Sequence, residues 1–186
     1  MFAETRGAPS EPLLAEYSAA VYAPESTGAA LLSVMGGRLS EGINFSDRLG
    51  RGVIVVGLPY PNPQSAEWLA KSAYVEATTQ SQLTTPGTAL YDEQLTEAEA
   101  RVRAKKAAQD YYENACLRAV NQSVGRAIRH KDDYAAIILV DRRYGNEGTR
   151  GKLSGWVKEN FKEECTSKGV GEMMGGLSAF FRGRSR

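Results

Sequence analysis

Apolar residues recur at helical spacing in SEPLLAEYSAAVYA, where Leu13, Leu14, Tyr17 and Val21 share one stripe. Ser10 is suited to cap this helix, and Pro12 is tolerated in its first turn. The continuous apolar runs at 29–35 and 53–57 predict two buried strands. The second stops at LPYPNPQS, where three prolines exclude regular structure. Ser65 is placed to cap a following helix that carries Trp68 and Leu69. Residues 77–91, ATTQSQLTTPGTALY, are polar and turn-prone, and they predict a surface insertion, ordered or disordered. A helix of mixed charge follows over roughly 93–119, with Glu97–Arg101 and Glu99–Arg103 in favourable i,i+4 order. NQSVGRAIRH at 121–130 reads as a further helix, and YAAIILVD at 134–141 as a third buried strand. A last helix starts near Ser154 with Trp156, Val157 and Phe161. The glycine-rich, basic stretch from Cys165 onward predicts a frayed tail.

Buried strands alternating with helices indicate an α/β domain built on a mainly parallel sheet. Ligands of such sheets collect in the loops beyond the strand C-termini. Three loops belong there: GGRLSEGINFSD, LPYPNPQS and DRRYGNEG.

Composition changes this picture little. The 186 residues suffice for one domain with a sizeable core. No apolar run approaches the roughly 20 residues of a membrane span, and MFAETRGAPSEP lacks the apolar centre of a secretory signal. Cys116 and Cys165 fit neither a disulfide framework nor a zinc motif, and are expected to be reduced. Charge says more. Residues 1–117 hold 9 Lys/Arg against 14 Asp/Glu, whereas residues 118–186 hold 14 against 8. The C-terminal third is therefore the side expected to meet an anion.

The candidate chemistry is sparse. GGRLSEGINF is glycine-rich and follows a strand, yet it has no Gly-Lys-Ser/Thr and no G-x-G-x-x-G opening a helix. Its glycines still allow backbone to approach a ligand, beside Arg38, Ser40, Glu41, Asn44 and Asp47. An ordinary strand–loop turn accounts for the same composition. His130 is the lone histidine, set between arginine and lysine, so a serine or cysteine triad lacks a base. No metal-ligand spacing is present. Gln122, Arg126 and Arg129 differ: on a helix, positions i, i+4 and i+7 share a face. Two guanidinium groups aimed together suit the equatorial oxygens of a transferring phosphoryl group. Surface ion pairing explains the triplet equally well on residue type alone.

Taken together, the segments carry a resemblance. GGRLSEGINFSDRLGRGVIVVGLPYPN resembles motif V and the following strand of superfamily-2 DNA helicases of the xeroderma pigmentosum group D type. QSVGRAIRH resembles their motif VI, Q-x-x-G-R-x-x-R, and ILVDRRY the D-x-R-aromatic segment after it. Within that group the sequence is most similar to the chromosome-loss branch, which acts in sister-chromatid cohesion. The resemblance covers residues 2–161, interrupted at 77–110 by what would be a family-variable insertion.

The resemblance implies a second RecA-like helicase domain over 1–164 and a flexible basic tail over 165–186. It implies 5′ to 3′ movement on single-stranded DNA, driven by ATP held between two such domains. Gln122, Arg126 and Arg129 match the motif VI positions that reach the γ-phosphate, with Arg129 as the arginine finger. Gly42 and Asn44 match motif V positions near the nucleotide ribose, although several relatives carry aspartate at 44. Gly37, Arg38 and Glu41 match positions coupling motif V to DNA, and Asp141 and Arg143 would tie motif VI to the sheet. A Walker A lysine, a D-E-A-H site for Mg²⁺ and four cysteines for a 4Fe–4S cluster do not occur in this sequence. They are expected in an N-terminal helicase domain, as is the opening strand of the second domain, making this chain the C-terminal part of a larger nuclear enzyme with chromosome-cohesion or replication proteins as partners. Two alternatives stay open: a stand-alone nucleic-acid-binding module without catalysis, and a relic whose incomplete sheet does not fold stably.

Overall fold

The computed structural model describes residues 1–42, 45, 47–128, 130, 132–162 and 169–184. Two compact units emerge: one formed by 1–58 with 119–186, the other by 59–118.

In the first unit, strand β1 (Phe2–Ala3) leads into helix α1 (Ser10–Tyr22) and strand β2 (Leu31–Leu32), which pairs in parallel with β1. Tyr17 and Val21 are buried, and Leu13 and Leu14 half-buried, as the apolar stripe predicts. Ser10 is not the cap. It is the first helical residue, Pro9 occupies the cap position, and no side chain bonds to the helix start. The strand expected over 29–35 shrinks to two residues, and Leu32 and Val34 are exposed. Its continuation turns at Gly36, whose φ of 79° favours glycine, into helix α2 (Arg38–Gly42). There Leu39 is fully buried, a contribution of about 2 kcal/mol for one apolar side chain of this size.

A 3-10 turn at Asp47–Gly50 opens onto strand β3 (Gly52–Val56). β3 pairs in parallel with strand β4 (Ala136–Val140), in register from Gly52 with Ala136 to Val56 with Val140. Both runs form strands because they are short, β-branched and bounded by turn residues. The expectation of full burial fails on one face: Val55 is buried, but Ile54 and Val56 are 63% and 70% exposed. The parallel strands also form two separate pairs among the described residues, instead of one sheet. After β4 come a 3-10 turn (Arg142–Gly145), helix α5 (Glu147–Gly151) and helix α6 (Gly155–Glu159). Asn121 secures the last of these, its amide donating to the Lys152 carbonyl at 3.0 Å and its oxygen accepting from Ser154 N at 2.9 Å. Phe161 lies beyond α6, so the final predicted helix is shorter than its apolar spacing suggests.

Helix α3 (Ala66–Thr84) starts where Ser65 accepts from Trp68 N at 3.3 Å, the expected cap. It runs on through Thr84, so the first half of the polar stretch 77–91 is helical. Helix α4 (Glu97–Val124) absorbs both the mixed-charge helix and the start of the next one. Thr96 and Glu99 open it with reciprocal bonds, Thr96 N to the Glu99 carboxylate at 2.9 Å and Glu99 N to Thr96 Oγ1 at 3.3 Å. Glu99 is thereby a capping residue, and Arg103 pairs instead with Asp92 at 3.7 Å. In the second unit Trp68 stacks on Tyr111 at 5.6 Å and meets Tyr112 at 5.1 Å. Residues 170–182 form helix α7 (Val170–Arg182), where irregular tail was expected. No described helix is long and apolar enough to cross a membrane.

Candidate functional site

Two chain segments converge in the first unit. The segment after α2 is held by Tyr17, whose hydroxyl donates to the Leu49 carbonyl at 2.8 Å and whose ring meets Phe45 edge-on at 6.4 Å. Burial raises the Tyr17 phenol above its ordinary range, keeping it a donor. Gly50 lies so close to the Phe45 backbone that any Cβ there would collide with it. The Phe45 amide in turn donates to the Arg126 carbonyl at 3.2 Å. Phe45 and the turn after α4 are thus neighbours, joined main chain to main chain.

Gln122 and Arg126, the two described members of the triplet, do not lie on one helix as their spacing predicts. α4 ends at Val124, and Gly125 and Arg126 lie in a turn, with Arg126 N bonded to Ser123 O at 3.4 Å. A Cβ on Gly125 would sit 3.0 Å from the Asn121 carbonyl, tighter than ordinary contact, so the start of the turn favours glycine by its space. Gln122 is exposed on the last helical turn and Arg126 half-buried just after it. Arg129 and Asn44 lie outside the described residues. Arg38, Glu41 and Gly42 all fall on α2, with Arg38 exposed. Gly37 precedes that helix, and a Cβ on it would meet Val34 O at 2.8 Å and the Glu4 carboxylate at 3.2 Å. Ser40 is buried and donates to the Gly37 carbonyl at 3.0 Å.

Asp141 and Arg143 bind one another at the C-terminal end of β4. The Asp141 carboxylate accepts from Arg143 N and Nε at 2.9 Å each, and from Nη2 at 2.7 Å. The Arg143 bonds hold the Asp141 carboxyl down at about 2, from 3.8. Beside them Tyr144 is buried and donates to the Gly57 carbonyl at 3.1 Å, fastening the loops after β3 and β4 together.

Sequence spacing gave no sign of one further cluster. Asp47, His130 and Asp133 bring their ligand-type atoms within 4.8 Å of one another. His130 is an exposed histidine, as expected, but it has Asp47 at 3.4 Å. Both carboxylates also face Arg51, at 2.5 Å from Asp133 and 3.8 Å from Asp47. A guanidinium already supplies the positive charge that a metal ion would bring. A groove by α1 is lined by Glu4 and Glu16 with no basic residue, so it does not suit a polyphosphate.

The arrangement therefore offers an amide and a guanidinium beside a glycine-rich segment, with no phosphate cradle among the described residues. Comparison with known proteins decides what it belongs to. Residues 1–160 match the helicase C-terminal domain family. The chain belongs to that family. Its relatives include an "ATP-dependent DNA helicase chl1" of Neosartorya fischeri, 48% identical over 180 residues, covering 96% of this chain and 19% of that protein. The protein of the same name from Aspergillus niger is 48% identical over 176 residues, covering 95% and 19%. That of Schizosaccharomyces pombe is 48% identical over 154 residues, covering 83% and 16%. The chain thus spans about a fifth of the length of these relatives. The α/β architecture with parallel strands flanked by helices agrees with a RecA-like helicase C-terminal domain.

Proposed function

We propose that this chain is the C-terminal motor part of an ATP-dependent DNA helicase that moves 5′ to 3′ on single-stranded DNA in the nucleus. Residues 36–47 act as motif V and 122–129 as motif VI. The observation that carries the reading is the Phe45–Arg126 junction, found in a chain of the helicase C-terminal family. It gives the segment meant for DNA a direct connection to the segment meant for ATP.

In this reading ATP and Mg²⁺ are held mainly by an N-terminal helicase domain, which also carries the 4Fe–4S cluster. The residues here fit a contributing role and no more. Gln122, Arg126 and Arg129 offer donors to the γ-phosphate, and Arg129 is the finger that balances charge as phosphoryl transfer proceeds. Gly42 and Asn44 lie against the ribose. Gly37, Arg38 and Glu41 couple to the DNA strand, and Asp141 with Arg143 holds motif VI against the sheet. Residues 1–164 form the functional domain, 77–110 vary among relatives, and 165–186 extend beyond the domain.

The test is Arg129→Ala in the full-length enzyme. DNA-stimulated ATP turnover is expected to fall by about 10³-fold or more, the typical contribution of an arginine finger. Turnover retained in that variant would sink the reading. A non-catalytic nucleic-acid module is the second reading, favoured by the basic balance of residues 118–186. It predicts that this chain alone binds single-stranded DNA, with a salt slope of about −0.7 per phosphate contact.

A further inference from the structure

Arg51 stands immediately before β3, and Asp133 and Tyr134 stand just before β4. Its Nη1 donates to the Asp133 carboxylate at 2.5 Å and to the Tyr134 carbonyl at 2.8 Å. Its Nη2 faces Asp47 at 3.8 Å. The guanidinium also lies over the Tyr134 ring, 4.0 Å from its centre. The Asp133 side chain is 0% exposed, and its carboxylate accepts from Arg51 and from the Tyr134 amide at 3.0 Å, so the arginine balances a buried charge. Asp133 is further fixed by its own backbone, its N–H donating to the His130 carbonyl at 3.0 Å.

Arg51 therefore touches both converging segments. Through Asp47 it holds the end of the loop that contains Phe45. Through Asp133 and Tyr134 it holds the residues that lead into β4, downstream of Arg126. Asp47 has a φ of 54°, an uncommon conformation outside glycine, which surrounding contacts must sustain.

Helix α7 adds a brace. Phe180 and Phe181 meet the Tyr134 ring at 6.1 and 6.5 Å, and the Arg184 guanidinium lies 5.0 Å from its centre. Tyr134 thus contacts Arg51 on one hand and α7 on the other. This helix lies beyond residues 1–160, the part that matches the family domain.

We propose that Arg51 is a positioning residue that sets the separation of the two segments, and that α7 steadies it through Tyr134. The proposal rests on the functional reading above only for its consequence: a shift of one segment on DNA is passed to the other through Arg51. The geometry of the strut is independent of it.

Arg51→Lys in the 186-residue chain tests it. Lysine keeps a charge for Asp133 but lacks the planar fork and the flat face that engage Tyr134. Hydrogen exchange at the Phe45 amide, the one bonded to Arg126, is expected to quicken about tenfold, while exchange within α3 stays unchanged. Unchanged exchange at Phe45 overturns the proposal. Should Arg51→Lys unfold the chain, the double variant Phe180→Ala/Phe181→Ala decides, because it strips two rings from Tyr134 and leaves the ion pair. Faster Phe45 exchange there supports the strut, and no change overturns it. In the full-length enzyme, Arg51→Lys is expected to raise the half-stimulating concentration of single-stranded DNA about tenfold, with Arg51 restored as the rescue control. Exchange needs neither ATP nor DNA, so its failure and that of the Arg129→Ala test are separately visible.

Discussion

Phe45 and Arg126 are joined main chain to main chain, amide to carbonyl at 3.2 Å. That bond uses no side-chain atom of Arg126, so truncating the side chain leaves its donor and acceptor in place. Arg126→Ala should change unfolding free energy by about 1 kcal/mol, an ordinary value for a half-buried site. In the full-length enzyme it should lower ATP turnover by about 10³-fold. Denaturant unfolding and a turnover assay, run side by side, separate the two effects. A variant that unfolds would make Arg126 a structural residue.

Asp133 should behave in the opposite way. Its side chain is wholly buried against Arg51 at 2.5 Å. Asp133→Ala removes the guanidinium's shortest contact and the acceptor of the Tyr134 amide. Asp47 and the Tyr134 carbonyl stay with Arg51, so the cost should be about 1–3 kcal/mol. Chemical denaturation should show a midpoint shift of that size. A shift below about 1 kcal/mol would mean that solvent already reaches the pair.

The Asp141–Arg143 pair should give acid sensitivity. The folded carboxyl sits at about 2 and its ordinary value is 3.8. Since the native state holds this proton less tightly than the unfolded one, its stabilisation is complete above about pH 4 and drains away as pH falls through about 2. Arg143→Ala should remove the larger, side-chain part of that component and leave the part due to the Arg143 backbone N–H. Thermal unfolding of both forms between pH 5 and 2 measures it, and parallel curves would assign the acid response to other carboxylates.

The Ser65 cap is a local test within residues 59–118. Its hydroxyl accepts from Trp68 N at 3.3 Å at the start of α3. Ser65→Ala should cost about 1 kcal/mol, the usual worth of an N-cap. Ser65→Gly should cost only a few tenths of that. Equal losses would mean that the Trp68 ring contacts, not the cap, fix the helix start.

Strands β3 and β4 were legible because short β-branched runs ended by glycine or a charged turn have few other solutions. The length of α3 was not. Its polar run at 78–82 looks like loop by composition, yet contains no glycine or proline before Pro86, so nothing stops the helix. α7 was hidden the opposite way: Gly171, Gly175 and Gly176 suggest disorder, while Val170, Met173, Leu177 and Phe180 keep a helical stripe. At the candidate site, residue types and spacing mark Gln122 and Arg126, but assume a helix that in fact ends at Val124. Arg51 carried no local signal at all. Its partner Asp133 is 82 residues away, and only the parallel register of β3 and β4 brings their starts together.

Gly37 connects fold to function at the other end of the site. It is needed for space: an added Cβ would press on the Val34 carbonyl at 2.8 Å and on the Glu4 carboxylate at 3.2 Å. Glu4 cannot simply withdraw, because its carboxylate accepts from Val34 N at 3.0 Å and so secures the bend after β2. Gly37→Ala should therefore cost about 1–3 kcal/mol, as overpacking against backbone does. It should also displace the start of α2, where Arg38 and Glu41 lie. In the full-length enzyme the expected result is weaker stimulation of ATP turnover by single-stranded DNA, with Glu4→Gln/Gly37→Ala no better than Gly37→Ala because the carbonyl clash remains. A fully stable, fully stimulated Gly37→Ala enzyme would show that the α2 loop yields freely, and would remove it from the DNA-coupling path.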